Sequence, residues 1–289
     1  MTIEAKATKR KSVPVLAADP ASQGAKPFVK WVGGKRQILP ELTQAAPKQF
    51  KCYYEPFVGG GALFFHLRPE RAVLTDANER LIRTYLGVQK HVEDVIRLLK
   101  EHQRKHTRRY FMETRARPDI DAASDAEVAA WLIYLNRTGY NGLYRVNSRN
   151  VFNVPPGDYK KPKICDEDNL RACARLLRGV RLAVSGFEKV LGRAKPGDFV
   201  YFDPPYVPLT RTSNFTDYTT KGFGEAEQKK LSEVARTLKG RGVHVLLSNS
   251  SAPLVRELYR DFHQKEVSAR RAVNSQAKSR GPVQELLLK

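Results

Sequence analysis

The chain has 289 residues, of which 51 are Lys or Arg and 30 are Asp or Glu, giving a formal net charge of +21. A hydrophobic fraction of 41% is enough for a sizeable core and argues against a largely disordered chain, while the charge predicts a polyanionic partner, nucleic acid before an acidic membrane surface. Three cysteines (Cys52, Cys165, Cys173) without a CxxC pair offer neither a disulfide framework nor a zinc site.

The longest apolar run, 128–135, falls far short of the roughly 18 residues of a membrane helix, and the charged N-terminus lacks the apolar stretch of a signal peptide. The expectation is a soluble, intracellular, basic protein with no metal and no membrane role. Residues 1–25 mix Lys6, Lys9, Arg10 and Lys11 with Pro14, Pro20, Ser and Ala, and predict a flexible basic tail. Order begins near Pro27, in Pro27-Phe28-Val29-Lys30-Trp31-Val32-Gly33-Gly34-Lys35. A Trp beside two glycines and flanking lysines could wrap an adenosine or a DNA edge, although taken alone the pattern more often marks a core Trp with solvated lysines.

Residues 53–58 predict a strand, Gly59-Gly60-Gly61 a turn, 62–67 a helix and 72–76 a second strand ending in Asp76. That sequence of elements begins a doubly wound α/β sheet. Leu81, Ile82, Tyr85, Leu86, Val92, Val95, Ile96 and Leu99 keep a 3.6-residue period, so this region is helical. Ser124 with Glu127 forms a capping box for the helix through Trp131 and Leu135. Residues 140–159, rich in Asn, Gly, Tyr and Arg, predict a surface loop or hairpin. The α/β rhythm then returns, with strands at 181–187, 198–202 and 243–247 and helices at 225–238 and 254–262. The reading is a Rossmann-like α/β domain in two sequence pieces, 26–80 and 168–289. A mostly helical insert, 81–167, carries a β-hairpin.

The sharpest chemical signal is Asp203-Pro204-Pro205-Tyr206, directly after the apolar strand Phe199-Val200-Tyr201-Phe202. In a doubly wound sheet, functional groups sit at the carboxyl ends of strands. The two prolines stiffen the turn and donate nothing, leaving carbonyls as pure acceptors. The Asp203 carboxylate and the Pro204 carbonyl would hold both N–H hydrogens of an exocyclic amine such as adenine N6. That favours the pyramidal nitrogen, which can attack a methyl group, and Tyr206 would stack on the base. Glu55-Pro56-Phe57-Val58-Gly59-Gly60-Gly61 lets a cofactor approach the backbone. It lacks the Gly-Lys-Ser/Thr of a phosphate-cradling loop. Asp76 stands where an acid accepts ribose hydroxyls. An adenosine-containing cofactor without a phosphate requirement fits, S-adenosylmethionine above all. In the hairpin region, Arg137, Arg145 and Arg149 suit guanine edges, Asn141, Asn147 and Asn153 suit adenine edges, and Tyr140 suits the gap left by an extruded base.

Together these residues resemble the Dam-type DNA adenine-N6 methyltransferases, the alpha-ordered class (D12 family), over almost all of 27–289. The similarity covers the entry motif at 27–35, the cofactor motif at 54–65, Leu74-Thr75-Asp76-Ala77-Asn78, and Leu135-Asn136-Arg137-Thr138-Gly139-Tyr140-Asn141-Gly142-Leu143-Tyr144-Arg145. It continues through Phe152-Asn153-Val154-Pro155, Tyr201 to Tyr206, Ser248-Asn249-Ser250 and Ala269-Arg270-Arg271-Ala272-Val273-Asn274.

The resemblance implies that Trp31, Lys35, Asp76 and Asp203 contact S-adenosylmethionine, with Glu55, Phe57, Gly59 and Gly61 in the cofactor motif. It implies catalysis by Asp203 to Tyr206 without a metal, and a Tyr140 that wedges into the duplex as the adenine flips out. Lys30, Leu143 and Arg145 match base-reading positions of GATC-specific members, and Asn141 a position near the flipped base. Asn150, Val151 and Pro156 depart from the family's Arg-Gly-Glu-Phe-Asn-Val-Pro-Phe-Gly hairpin, and Thr138 replaces an aromatic. The implied partner is double-stranded DNA, in the cytoplasm on the nucleoid, with the enzyme either solitary or paired with a restriction nuclease of the same site. Two rivals are a methyltransferase of another planar nitrogen (RNA adenine or a protein amide) and a catalytically dead DNA-binding protein. The DNA-reader positions speak against the first, and the intact Asp203 and Asp76 against the second.

Overall fold

Residues 24–207, 223–270 and 282–289 are described by a computed structural model. The expected basic tail lies outside the described residues except for its last two positions, as do residues 271–274 of the family-like segment beginning at Ala269. A 3-10 turn (Lys35–Ile38) leads into α1 (Leu39–Ala45), followed by β1 (Tyr53–Glu55), whose three residues are all buried. The strand is shorter than 53–58 because Pro56 has no N–H for the ladder. Gly59 and Gly61, at φ of 47° and 65°, turn the chain into α2 (Ala62–Leu67). β2 (Ala72–Asp76) and α3 (Glu79–Lys90) follow, the helix capped by the Asn78 side chain, which accepts from the Leu81 N–H at 3.0 Å.

The helical middle holds α4 (Val92–Lys105), α5 (Arg108–Arg115) and α6 (Asp125–Thr138). The Ser124–Glu127 capping box forms as the sequence indicates. Beyond its first turn α6 is buried on nearly every side, which a helix without a polar face requires. Gly87 makes room for it: a Cβ there would lie 2.4 Å from the Asp125 carbonyl oxygen. After α6 the chain forms a narrow hairpin, bridged at Val146–Phe152 and tied at its base by Gly139–Pro156. It then returns to the sheet through α7 (Glu167–Leu176).

The remaining elements are β3 (Arg181–Val184), β4 (Phe199–Phe202), α8 (Glu225–Gly240), β5 (His244–Ser250), α9 (Pro253–Leu258), β6 (Gln264–Arg270) and β7 (Pro282–Leu288). β3 stops short of 187 because Phe187 begins a 3-10 turn, Phe187–Gly192, that buries its ring. β6 and β7 escape the sequence reading. β6 is a polar edge strand whose pairing partner, β7, lies across a long connection.

The seven strands lie in the order β3-β2-β1-β4-β5-β7-β6. All neighbours are parallel except β7, which runs antiparallel to both β5 and β6. The chain winds one way from β1 and the other from β4, so these adjacent strands mark the switch point at which doubly wound sheets place their ligands. One face buries Tyr53, Phe199, Tyr201, Leu246 and Leu287 against the helices around α3 and α6. The other buries Tyr54, Val200, Phe202, Leu247 and Leu286 against α8 and α9. No helix among the described residues is long and apolar enough to cross a membrane.

Candidate active site

Register places the candidate groups. Phe202 of β4 pairs with Leu247 of β5, so Asp203 and Ser248 are the next residues along. The Ser248 hydroxyl donates to Asp203 Oδ1 at 3.0 Å. Since that hydrogen is committed, the Tyr201 hydroxyl, 2.9 Å from Ser248 Oγ, is the donor of its own bond. Lys35 Nζ lies 2.8 Å from the same Asp203 oxygen. Lys35 is only 4% exposed, so this ammonium and carboxylate are a largely desolvated pair. Burial raises the Asp203 carboxyl above its ordinary value, opposed by Lys35 and by the Ser248 bond.

The turn after Asp203 is held from both sides of the sheet. Gln228 of α8, fully buried, donates through Nε2 to the Pro205 carbonyl at 2.9 Å. Its Oε1 accepts from Asn249 Nδ2 at 3.0 Å. With Pro205 engaged in this way, the Pro204 carbonyl is, among the described residues, the acceptor left beside Asp203. Tyr206 donates its hydroxyl to Glu285 Oε2 at 2.7 Å, and Lys35 Nζ stands 4.6 Å from its ring centroid. Gln228 and Glu285 carry no sequence signal of their own. An acid in the antiparallel strand β7 and a Gln on an amphipathic helix look like ordinary surface residues until the register is known.

Glu55, at the end of β1, is 2% exposed and accepts the Tyr53 hydroxyl at 2.9 Å. Burial pushes its carboxyl well above the usual range, and the neighbouring Asp203 and Asp76 charges push the same way. Asp76 closes the glycine turn: Oδ2 accepts the Gly59 N–H at 3.1 Å and Oδ1 the Asn78 N–H at 2.9 Å. Burial lifts Asp76 to about 6 despite these bonds. The Tyr85 hydroxyl donates to the Gly59 carbonyl at 3.1 Å. Trp31 closes over the same turn, since a Cβ on Gly59 would lie 2.8 Å from Trp31 Cδ1, and its ring stacks on Tyr144 with centroids 5.3 Å apart. Trp31, Lys35, Glu55, Gly59, Gly61, Asp76 and Asp203 are thus assembled around the switch point. Phe57 packs instead with Phe187 and Phe223, centroids 5.5 and 5.6 Å away.

The remaining predicted residues gather at the C-terminal end of α6. Asn136, buried, organises them: Oδ1 accepts the Lys30 N–H at 2.7 Å, and Nδ2 donates to the Lys30 and Gly142 carbonyls at 2.9 and 2.7 Å. It ties the segment at Lys30 to the turn Tyr140–Gly142, where Asn141 sits at φ 54° and Tyr140 is 48% exposed. Leu143 is half-buried. Arg145 is exposed, its Nε donating to Asn153 Oδ1 at 2.7 Å across the hairpin. At the tip, Asn147 Oδ1 accepts the Arg149 and Val151 N–H groups, and Asn150 adopts φ 58°. Asn150 stands where the family hairpin has Gly, and Asn enters this left-handed region more readily than most residues.

Fold and site together define a doubly wound α/β protein whose candidate reacting groups meet at the switch point. Residues 31–273 match the family described as D12 class N6 adenine-specific DNA methyltransferase, and the chain belongs to that family. It is 44% identical to the Type II methyltransferase M1.LlaDCHI of Lactococcus lactis subsp. cremoris, over 91% of this chain and 94% of that protein. It is 38% identical to the Type II methyltransferase M.MjaIII of Methanocaldococcus jannaschii, over 91% and 98% respectively. The DNA adenine methylase of Escherichia coli K12 is 36% identical over 90% of this chain and 93% of its own length. The α/β fold, the methyltransferase activity on DNA adenine and the family expected from the motifs all stand.

Proposed function

We propose that the chain transfers a methyl group from S-adenosylmethionine to N6 of an adenine extruded from double-stranded DNA, in the sequence GATC. One observation carries the reading. The Asp203–Tyr206 turn is anchored at the switch point beside the Gly59–Asp76–Trp31 cradle, with its carboxylate held by Lys35 and Ser248.

The residues fit the cofactor. The raised Asp76 carboxyl would gain donors from two ribose hydroxyls, the glycine turn permits close approach, and a site rich in carboxylates suits a sulfonium cation. Bound there, S-adenosylmethionine supplies an electrophilic methyl group that an amine takes by direct displacement. The protein's own part is positioning and electrostatics. Asp203 and the Pro204 carbonyl accept the two N6 hydrogens, drawing the nitrogen lone pair out of conjugation. As the N–C bond forms, the nitrogen sheds one proton through Asp203 or to water, so no histidine is needed. Tyr206 stacks on the base, and Tyr140 fills the gap it leaves in the duplex. Lys30, Leu143 and Arg145 read the flanking bases, with Asn141 beside the flipped nucleotide.

Within this reading the recognition unit is 81–167, and the working location is the cytoplasm, on the nucleoid. The Type II names of two relatives support a place beside a restriction nuclease acting on the same site. The test is digestion of plasmid methylated by the purified enzyme. A nuclease blocked by adenine methylation at GATC should fail to cut, and one that requires that methylation should cut to completion. The opposite pattern, from a preparation active in methyl incorporation, would remove GATC and leave the chemistry. An absence of N6-methyladenine in the product would remove both.

A further inference from the structure

We propose that Glu285 is a positioning residue for methyl transfer, fixing the Tyr206 ring in the plane against which the target base stacks. The proposal rests on the reading of Tyr206 as the stacking platform. Glu285 lies on β7, opposite Ser250 of β5, so it reaches the active edge of the sheet from an antiparallel strand. The Tyr206 hydroxyl donates to its Oε2 at 2.7 Å, the short length of a charge-assisted bond between a hydroxyl and a carboxylate.

Tyr206 follows two prolines and belongs to no strand or helix, so backbone ladder bonds do not set its ring. Side-chain contacts do. Glu285 holds the hydroxyl edge, and the Lys35 ammonium stands 4.6 Å from the ring centroid. The same ammonium lies 2.8 Å from Asp203 Oδ1. One cation thus links the acceptor for the amine, which Ser248 also holds, to the platform for the base, which a remote carboxylate holds. A tyrosine freed at its hydroxyl would keep its stacking surface and lose its fixed tilt. The cost would fall on the transfer step rather than on affinity.

The experiment measures single-turnover methyl transfer by the full chain to a duplex carrying its site, for Glu285→Ala, Glu285→Gln, Tyr206→Phe and the double variant Glu285→Ala/Tyr206→Phe. Glu285→Ala and Tyr206→Phe should each slow transfer by about tenfold, the effect expected of one hydrogen bond to a charged group. Cofactor and DNA dissociation constants should move by less than about threefold. The double variant should be no slower than the slower single one, because both remove the same bond. Glu285→Gln, whose amide oxygen still accepts, should recover most of the rate. A wild-type rate for Glu285→Ala, multiplied effects in the double variant, or a Glu285→Gln as slow as Glu285→Ala would each overturn the proposal. If Glu285→Ala does not fold, Glu285→Asp takes its place: slowed transfer supports the role and a wild-type rate refutes it. Tyr206→Ala separates the two readings. Wild-type transfer by that variant would refute the platform itself, whereas a slow Tyr206→Ala beside a fast Glu285→Ala would refute the assignment of Glu285 alone.

Discussion

Replacing Gln228 by Leu removes one donor and one acceptor from a fully buried position while keeping similar bulk. The Pro205 carbonyl and Asn249 Nδ2 lose partners at 2.9 and 3.0 Å. A buried polar group left without a partner costs about 1–3 kcal/mol, which the fully buried Asn249 should lose, with a smaller part from the half-buried Pro205 carbonyl. In urea unfolding this appears as a lower midpoint at constant slope. Function should suffer separately, since an unpinned Pro205 carbonyl lets the turn reorient and misplaces the Pro204 acceptor. Single-turnover transfer should fall while cofactor affinity changes little. Gln228→Glu sharpens the test. Its ionised form accepts from Asn249 but has no hydrogen for Pro205, whereas the protonated form, which burial favours, keeps the donor, so any deficit relative to wild type should grow as pH rises. A loss of stability below about 1 kcal/mol in Gln228→Leu, with transfer unchanged, would refute the idea that this relay holds the catalytic turn.

Asp203→Ala should lower transfer by far more than tenfold, about 1.4 kcal/mol, with duplex affinity nearly intact; a smaller loss would remove Asp203 from the chemistry. Asp76, lifted to about 6, should make cofactor affinity fall as pH drops through that value, because ribose hydroxyls bind the carboxylate form. The same raised carboxyl contributes stability to the free protein below its unfolded value and loses it as pH rises through about 6, the opposite trend. Calorimetric titration across this range in wild type and Asp76→Asn checks the point, and a pH-independent affinity in wild type would place the ribose elsewhere. Arg145→Ala frees Asn153 and should cost about 1–3 kcal/mol of discrimination at one base pair, so near-cognate sites are methylated relatively better. Uniform weakening across all sites would instead make Arg145 a phosphate contact.

The sequence by itself determined what is local. Asp203-Pro204-Pro205-Tyr206 after an apolar strand, a glycine turn followed by a strand ending in Asp76, and the Ser124–Glu127 box before an unbroken apolar run depend on neighbours a few residues away. Their positions in the fold follow from strand period, turn chemistry and capping. Tertiary structure decided which distant residues meet them. Lys35 reaches Asp203 because a 3-10 turn from the N-terminal segment buries Lys35 and Ile38 at the switch point. Gln228 reaches Pro205, and Glu285 reaches Tyr206, because β4, β5 and β7 are aligned in one register; a one-residue slip would turn Ser248 and Glu285 to the opposite face. β6 and β7 were hidden for a related reason. β6, a polar edge strand with little hydrophobic alternation, is stabilised by its partner's ladder rather than by its own pattern. Local chemistry is written in the order of residues, whereas the contacts that aim it exist only once the strands have paired.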